Sequence, residues 1–192
     1  MVNLTRIYTR TGDAGRTRLA DNNQTDKTDP RVEAYGSVDE ASCALGLALA
    51  DPALDESIRS VLAAIQNDLF DVGADLATPL TSPGRALRVA QSWVDRLESW
   101  CDQFQEGLEP LRSFVLPGGS ELSARLNLAR AIVRRAERAT WQVAQQTEIN
   151  PLTAVYLNRL SDLLFILGRQ ANRLAGTPEL LWQPAQGSPD AQ

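Results

Sequence analysis

Residues Tyr8 to Arg18 read Tyr-Thr-Arg-Thr-Gly-Asp-Ala-Gly-Arg-Thr-Arg, a segment with almost nothing from which to build a core. Thr9, Thr11 and Thr17 offer hydroxyls, while Arg10, Arg16 and Arg18 offer forked donors that stay charged at any ordinary pH. Gly12 and Gly15 let the backbone turn sharply and let a ligand approach the main chain. Those are the ingredients of a triphosphate cradle. They suit a solvated, arginine-rich arm equally well, and composition alone leaves both readings open. A Walker A loop is excluded, because no Gly-x-x-x-x-Gly-Lys-Ser/Thr occurs in the chain.

A second cationic pattern lies far along the chain. Arg130, Arg134 and Arg138 recur every four residues, with Asn127 and Glu137 on the same flank. Like charges at that spacing repel by ~0.2–0.5 kcal/mol per pair. A folded helix tolerates that, so a solvated face is one reading. An arginine ladder is also a means of gripping polyphosphate through paired hydrogen bonds, which is the other. Asn158, Asp162 and Arg169 form a comparable polar stripe further on. Asp39 is the remaining oddity: it shares a helical stripe with Val32, Tyr35 and Cys43, a face expected to be buried. A carboxylate there needs a cation or a proton.

What the chain lacks narrows the chemistry. None of its 192 residues is histidine, which removes Ser-His-Asp and Cys-His nucleophiles, histidine-bound metals and the commonest general acid–base at neutral pH. Cys43 and Cys101 are two and widely spaced, implying neither a disulfide framework nor a cysteine zinc site. Lys27 is the single lysine, and the formal charge of −5 argues against nucleic acid as a partner. No apolar run is long enough to span a membrane and no signal-peptide pattern opens the chain, so a cytoplasmic protein is expected.

The elements that must position these residues are helical. Asp29-Pro30 starts a first helix and Asp51-Pro52 stops it, with Val32, Tyr35, Gly36, Asp39, Cys43, Gly46, Leu47 and Ala50 as its expected inner stripe. A second runs from about 54 to 77 on Ile58, Leu62, Ile65, Leu69, Val72 and Leu76, before the breakers Thr78-Pro79 and Ser82-Pro83-Gly84. A third carries Val89, Trp93, Leu97, Trp100 and Phe104. After the short apolar run Phe114 to Leu116 and Pro117-Gly118-Gly119, Ser120 caps a fourth on Leu122, Leu126, Ala129, Val133, Ala136, Thr140 and Val143. Asn150-Pro151 opens a fifth on Leu152, Tyr156, Leu163 and Leu167. No strand alternation or repeat appears. The expectation is an all-α, antiparallel five-helix bundle in one domain, with residues 183–192 a disordered tail.

Five segments together resemble the PduO-type ATP:cob(I)alamin adenosyltransferases: Tyr8 to Gly15, Asp29 to Glu40, Phe114 to Gly119, Ala129 to Arg138 and Tyr156 to Asp162. Their order and spacing match over roughly residues 5 to 182. The resemblance implies a ferritin-like bundle assembled as a homotrimer, with active sites between subunits and an ATP loop at about 5–28. It implies transfer of the 5′-deoxyadenosyl group of Mg²⁺-bound ATP to cob(I)alamin, releasing triphosphate. Thr9, Arg10, Thr11 and Gly12, with Thr17, Arg18 and Lys27, would hold ATP from one subunit. Arg134, Arg135, Glu137, Arg138 and Asn158 would complete that site. Asp39 and Arg130 match an ion pair at the subunit interface, and Phe114 matches the aromatic that blocks the lower corrin face. Asp39, Arg130, Phe114 and Arg134 are thus the expected catalytic set.

The chemistry suits a chain without histidine. Cob(I)alamin is itself a strong nucleophile, so the protein has only to align the reactants and stabilise charge on the leaving triphosphate. A corrinoid reductase and an adenosylcobalamin-dependent mutase or dehydratase are the partners such an activity admits. Two positions depart from the family pattern. Asn127 stands where many members carry histidine, and Ala20-Asp-Asn-Asn23 lacks glycines often found after the ATP loop. Two other readings stay open on sequence: a carrier of nucleotide or adenosylcobalamin with little turnover, and a structural oligomer in which the arginine ladder is an ion network.

Overall fold

The computed structural model describes residues 8–52, 54–82 and 86–184, so Pro83-Gly84 and most of the expected tail lie outside the described residues. Five helices form where the capping chemistry places them. α1 (Pro30–Leu49) begins with Pro30 in its first turn, and the Asp29 carboxylate accepts the Arg31 N–H at 2.8 Å. Asp55 caps α2 (Glu56–Leu76) through the Ser57 N–H. α3 (Gln91–Gln105) starts without a side-chain cap and ends before Gly107, whose φ is 78°. Ser120 caps α4 (Glu121–Ala144), and Asn150 caps α5 (Pro151–Leu174).

Cross-links between helices set their directions. Arg31 reaches the Leu76 carbonyl and Gln66 the Ser42 carbonyl, so α1 and α2 are antiparallel. Arg135 pairs with Glu40 and Arg125 donates to the Leu47 carbonyl, which makes α4 antiparallel to α1. Asn158 meets Glu137 and Asn172 meets Ser120, so α5 reverses α4. Successive helices therefore alternate in direction, while the neighbours α3 and α5 run parallel, as Arg159–Glu98 and Gln170–Phe104 show. The packing order is α2, α1, α4, α5, α3. The inner stripes expected for α2 and α4 are buried, Leu122 only partly, and α5 is covered on most of its circumference.

Three expectations need correction. The N-terminal region holds a two-stranded antiparallel sheet, β1 (Arg16–Arg18) with β2 (Gln24–Asp26), Thr17 opposite Thr25. Strands of three residues are too short to show alternation. Val89 is buried but precedes α3. In α1 the buried face is Ala34, Val38, Ala41, Leu45 and Ala48, whereas Gly36, Asp39, Cys43, Leu47 and Ala50 are exposed. α1 is small or apolar almost all round, so periodicity admitted two faces. Alanine every seven residues lets α2 and α4 approach closely, and that face goes inside.

Buried polar groups pin one end of the bundle. Asp75, only 2% exposed, accepts Arg88 at 2.6 Å, the Val89 N–H at 2.8 Å and the Asn150 amide at 2.7 Å. Arg88 also holds the Thr78 and Pro79 carbonyls. With no basic residue in its own last turn, α2 thus draws cations to its C-terminus from elsewhere in the chain. Among the described residues no helix is long and apolar enough to cross a membrane.

Candidate functional site

The loop ahead of α1 is built to present its backbone. Arg10 and Gly15 both take positive φ, at 62° and 76°, and the Thr9 and Thr11 hydroxyls bond at 2.9 Å. A Cβ on Gly12 would lie 3.1 Å from Lys27 Nζ and 3.2 Å from the Arg16 carbonyl, so glycine lets the lysine ammonium lie against the loop. Asn22, at φ 67°, makes the turn between the strands, and Asp21 accepts the Asn23 N–H at 3.0 Å. Asparagine supplies the left-handed residue in a stretch without glycine. Arg18 is drawn back to the Asn22 carbonyl at 2.9 Å.

Three contacts seat this hairpin on the bundle. Thr25 donates to Asp29 at 2.7 Å, and the Ala20 N–H donates to the Ala77 carbonyl at 3.1 Å, just past α2. Thr17 hydrogen-bonds Tyr35 of α1; burial raises that phenol's pKa against the smaller, opposite effect of this bond. The loop therefore sits at the end of the bundle that Asp75 and Arg88 brace.

α4 carries the second cluster. Arg134 and Arg138 are exposed, and Arg138 donates to the Arg134 carbonyl at 3.1 Å. Glu137 accepts from Asn158 of α5 at 3.2 Å. Arg130 is half-buried: its Nε donates to Asn127 at 3.3 Å, and its guanidinium lies 5.8 Å from the Phe165 ring centre. Burial first, and then the Arg134 charge, lower its pKa. Asn127 in turn donates to the Ser123 carbonyl at 3.0 Å, so it links Arg130 to the backbone one turn back along α4.

Two unlike cavities meet at this arginine. One of about 490 Å³ is lined by Arg130, Arg134, Asp162 and Arg169 together with apolar Leu108, Leu111, Phe165 and Ile166. The second, of about 700 Å³, is lined by Phe114, Val115, Phe165 and Trp182, with Arg112 and Arg130. Phe114 is 77% exposed and packs edge-on against Trp182 at 6.1 Å. The C-terminal segment holds that pair in place: the Leu116 N–H donates to Leu180 O at 2.8 Å and the Trp182 N–H to Phe114 O at 2.7 Å. Arg169 ties the same segment to α5 through Glu179 at 2.8 Å.

The structure thus gathers Arg130, Arg134 and Phe114 around two joined cavities, with Glu137, Arg138 and Asn158 along the same flank. Arg135 turns the other way, to Glu40 on α1. Asp39 lies elsewhere, exposed in a groove between α1 and α2 beside Tyr35 and Phe70. Among the described residues of one chain no ion pair joins Asp39 to Arg130, and no hydrogen bond or ion pair joins the loop at 9–18 to Arg134, Glu137 or Arg138. Nor do three or more His, Cys, Asp or Glu side chains group where they could hold a metal ion. Phe165 and Trp182 were not singled out from sequence. Phe165 was findable, since it continues the Asn158, Asp162 and Arg169 face of α5; Trp182 follows no periodic pattern.

The cobalamin adenosyltransferase family profile matches residues 7–171. The chain belongs to the cobalamin adenosyltransferase family. It is 55% identical over 187 residues to the corrinoid adenosyltransferase of Mycobacterium tuberculosis H37Rv, covering 95% of both chains. It is 44% identical over 164 residues to the corrinoid adenosyltransferase PduO of Salmonella typhimurium, covering 85% of this chain and 48% of that protein. Among solved structures, a phenylalanine-to-alanine variant of the PduO-type ATP:corrinoid adenosyltransferase from Lactobacillus reuteri, complexed with cobalamin and ATP, superposes with a TM-score of 0.89. That match has 36% identity and covers 93% of this chain and all of the other. An arginine-to-lysine variant of the same enzyme, complexed with ATP, gives a TM-score of 0.85 at 36% identity and 92% coverage of this chain.

Proposed function

We propose that this chain transfers the 5′-deoxyadenosyl group of ATP to cob(I)alamin, forming adenosylcobalamin and releasing triphosphate. The observation that carries the reading is the junction at Arg130 and Phe165, where a cavity lined by three arginines opens beside an aromatic one. A reaction between a polyanion and a large, flat macrocycle needs two such surfaces side by side. The names of the relatives, and the cobalamin and ATP held in a structural neighbour, support the same assignment.

In this reading Arg134 and Arg138 face the triphosphate and stabilise the charge it gains on leaving. Thr9, Arg10, Thr11, Gly12, Thr17, Arg18 and Lys27 form the opposite wall of the nucleotide site. Mg²⁺ arrives with the ATP phosphates, as part of the substrate. Phe114 and Trp182 present an apolar surface that excludes a lower axial ligand from cobalt. Arg130, desolvated between the cavities, orients the corrinoid against the ribose carbon.

We further propose that the site is completed between subunits of a homotrimer. Asp39 lies in a groove of about 280 Å³ with exposed Phe70 at its rim, and Gly36 beside it permits close approach. A second copy's Arg130 side would pair with Asp39 there, and its ladder would meet the hairpin. The reaction belongs in the cytoplasm, where a corrinoid reductase supplies cobalt(I) and a mutase or dehydratase takes the product. The test is an anaerobic spectrophotometric assay with chemically reduced cob(I)alamin and Mg-ATP. Loss of the cob(I)alamin absorbance with formation of light-sensitive adenosylcobalamin is the expected result. Binding of both ligands without product would make the chain a carrier.

A further inference from the structure

The cavity that holds Phe114 also carries a cation with nothing to bind. Arg112 lines it two residues before Phe114 and is exposed, and among the described residues its guanidinium makes no hydrogen bond or ion pair. The backbone is held on both sides of it. The Glu109 carbonyl accepts from Arg169 at 2.8 Å, and the Ser113 hydroxyl donates to the Trp182 carbonyl at 3.1 Å. Glu179, the acid of the adjoining C-terminal segment, is already paired with Arg169. Arg130, the cavity's other arginine, is half-buried and engaged by Asn127 and Phe165. Arg112 is thus a fixed-backbone, open-charge position beside the aromatic that faces the corrinoid.

The chemistry of cobalamin says what that charge can meet. The amide arms around the ring are neutral, and the one anionic group is a phosphodiester in the tether that joins the lower base to the ring edge. A side chain that blocks the lower face, as Phe114 does in the adenosyltransferase reading, keeps the base off cobalt but leaves it tethered. The tether then leaves the cavity on the Phe114 side, where Arg112 stands exposed. Resting on that reading, we propose that Arg112 binds the phosphodiester of the displaced nucleotide tether, so that the site distinguishes complete cobalamin from a corrinoid without it. A guanidinium suits this group because two parallel N–H donors match two phosphate oxygens. The contact is remote from cobalt and from ATP, so it adds affinity for the corrinoid and nothing to the transfer step.

The test measures KM for chemically reduced cobalamin and for chemically reduced cobinamide, which lacks the phosphodiester and the base, in native protein and in Arg112→Gln with saturating Mg-ATP. In the cobalt(I) state neither corrinoid has a lower ligand on cobalt, so the two differ at the tether alone. The expected result in Arg112→Gln is a KM about tenfold higher for cobalamin and within about twofold of native for cobinamide, with kcat unchanged for both. Arg112→Lys, which keeps the charge, should lie within about threefold of native, and the loss in Arg112→Gln should shrink as salt is raised. Cobinamide phosphate, which has the phosphate without the base, should show the loss that cobalamin shows. An equal rise in KM for cobalamin and cobinamide overturns the proposal and marks Arg112 as a residue that meets the ring or the fold. A rise for cobalamin with none for cobinamide phosphate overturns it in favour of a contact with the base. Native protein that gives product with neither corrinoid overturns the adenosyltransferase reading, and the tether contact with it. Native turnover that Arg112→Gln leaves unchanged overturns the tether contact alone.

Discussion

Two arginines of this chain should respond to truncation in opposite ways, and the contrast tests whether the α4 ladder is a binding surface or a structural one. Arg134 is exposed and makes no ion pair among the described residues; its backbone carbonyl merely accepts from Arg138. Removing such a side chain costs within about 0.5 kcal/mol of stability. At about 2–4 °C per kcal/mol for a chain of this size, Arg134→Ala should melt within roughly 2 °C of native. If Arg134 grips triphosphate, it loses charged hydrogen bonds of about 1.5–3 kcal/mol, or roughly ten- to 150-fold in ATP affinity. Arg88 is the reverse case. It donates to the Asp75 carboxylate and to the Thr78 and Pro79 carbonyls, and Asp75 is almost fully buried. Arg88→Ala leaves that charge with only the Val89 N–H and the Asn150 amide, at a cost of about 3–5 kcal/mol, a fall in melting temperature of roughly 6–20 °C. Scanning calorimetry with and without Mg-ATP reads both quantities. An Arg134→Ala protein that melts more than about 5 °C low yet binds ATP like native would refute the ladder as a phosphate grip.

Phe114→Ala should melt within a few degrees of native, because the ring is largely exposed. It should turn over when chemically reduced cob(I)alamin is supplied, yet lose at least tenfold of the rate when starting from cob(II)alamin and a mild reductant; an equal loss in both assays would move Phe114 to the transfer step. Asp39→Arg should dissociate the native assembly in sedimentation velocity, and adding Arg130→Asp should restore its mass; a native chain that sediments as a monomer would rule out the pairing. Burial, the largest cause, pushes the Cys101 thiol from 9.0 to about 11, so the folded state holds that proton more tightly than the unfolded chain. Its contribution to stability is complete below pH 9 and is lost as pH rises through about 11. A thiol reagent should therefore modify Cys101 at a rate that rises about tenfold per pH unit from pH 8 up to pH 10. A rate that levels off near pH 9 would contradict that burial.

The helices were legible because local chemistry and period agreed. Asp29-Pro30, Ser120 and Asn150-Pro151 each place a capping side chain where a helix begins, and the α2 and α4 stripes bury the residues their spacing predicts. The bracing network was not legible. Asp68, which takes hydrogen bonds from Arg96 and Tyr156, and Asp75 look in sequence like ordinary polar positions on an amphipathic helix. Their partners lie 13 to 88 residues away, a separation at which no periodicity operates. Only the folded neighbours reveal which carboxylates are inside.

The site was legible in pieces, and α1 shows why the pieces did not join. The reasoning that Asp39 must be buried rested on its sharing a stripe with Val32, Tyr35 and Cys43, and in one chain that stripe faces outward. Yet a helix exposed along Gly36, Asp39, Cys43 and Leu47, with Phe70 alongside, does not have the composition of a wet face. A helix with one apolar face has one partner surface; a helix apolar on two faces has two. The inner face of α1 already packs on α2 and α4 within the chain. Under the proposed trimer the second face would find a second copy, and the stripe that misassigned the core of a single chain would line the interior of the assembly. The conflict would then resolve without moving a helix: Asp39 would be buried where Arg130 of another subunit neutralises it. The nucleotide loop and the ladder, which have no bond to each other in one chain, would then close on ATP from opposite sides.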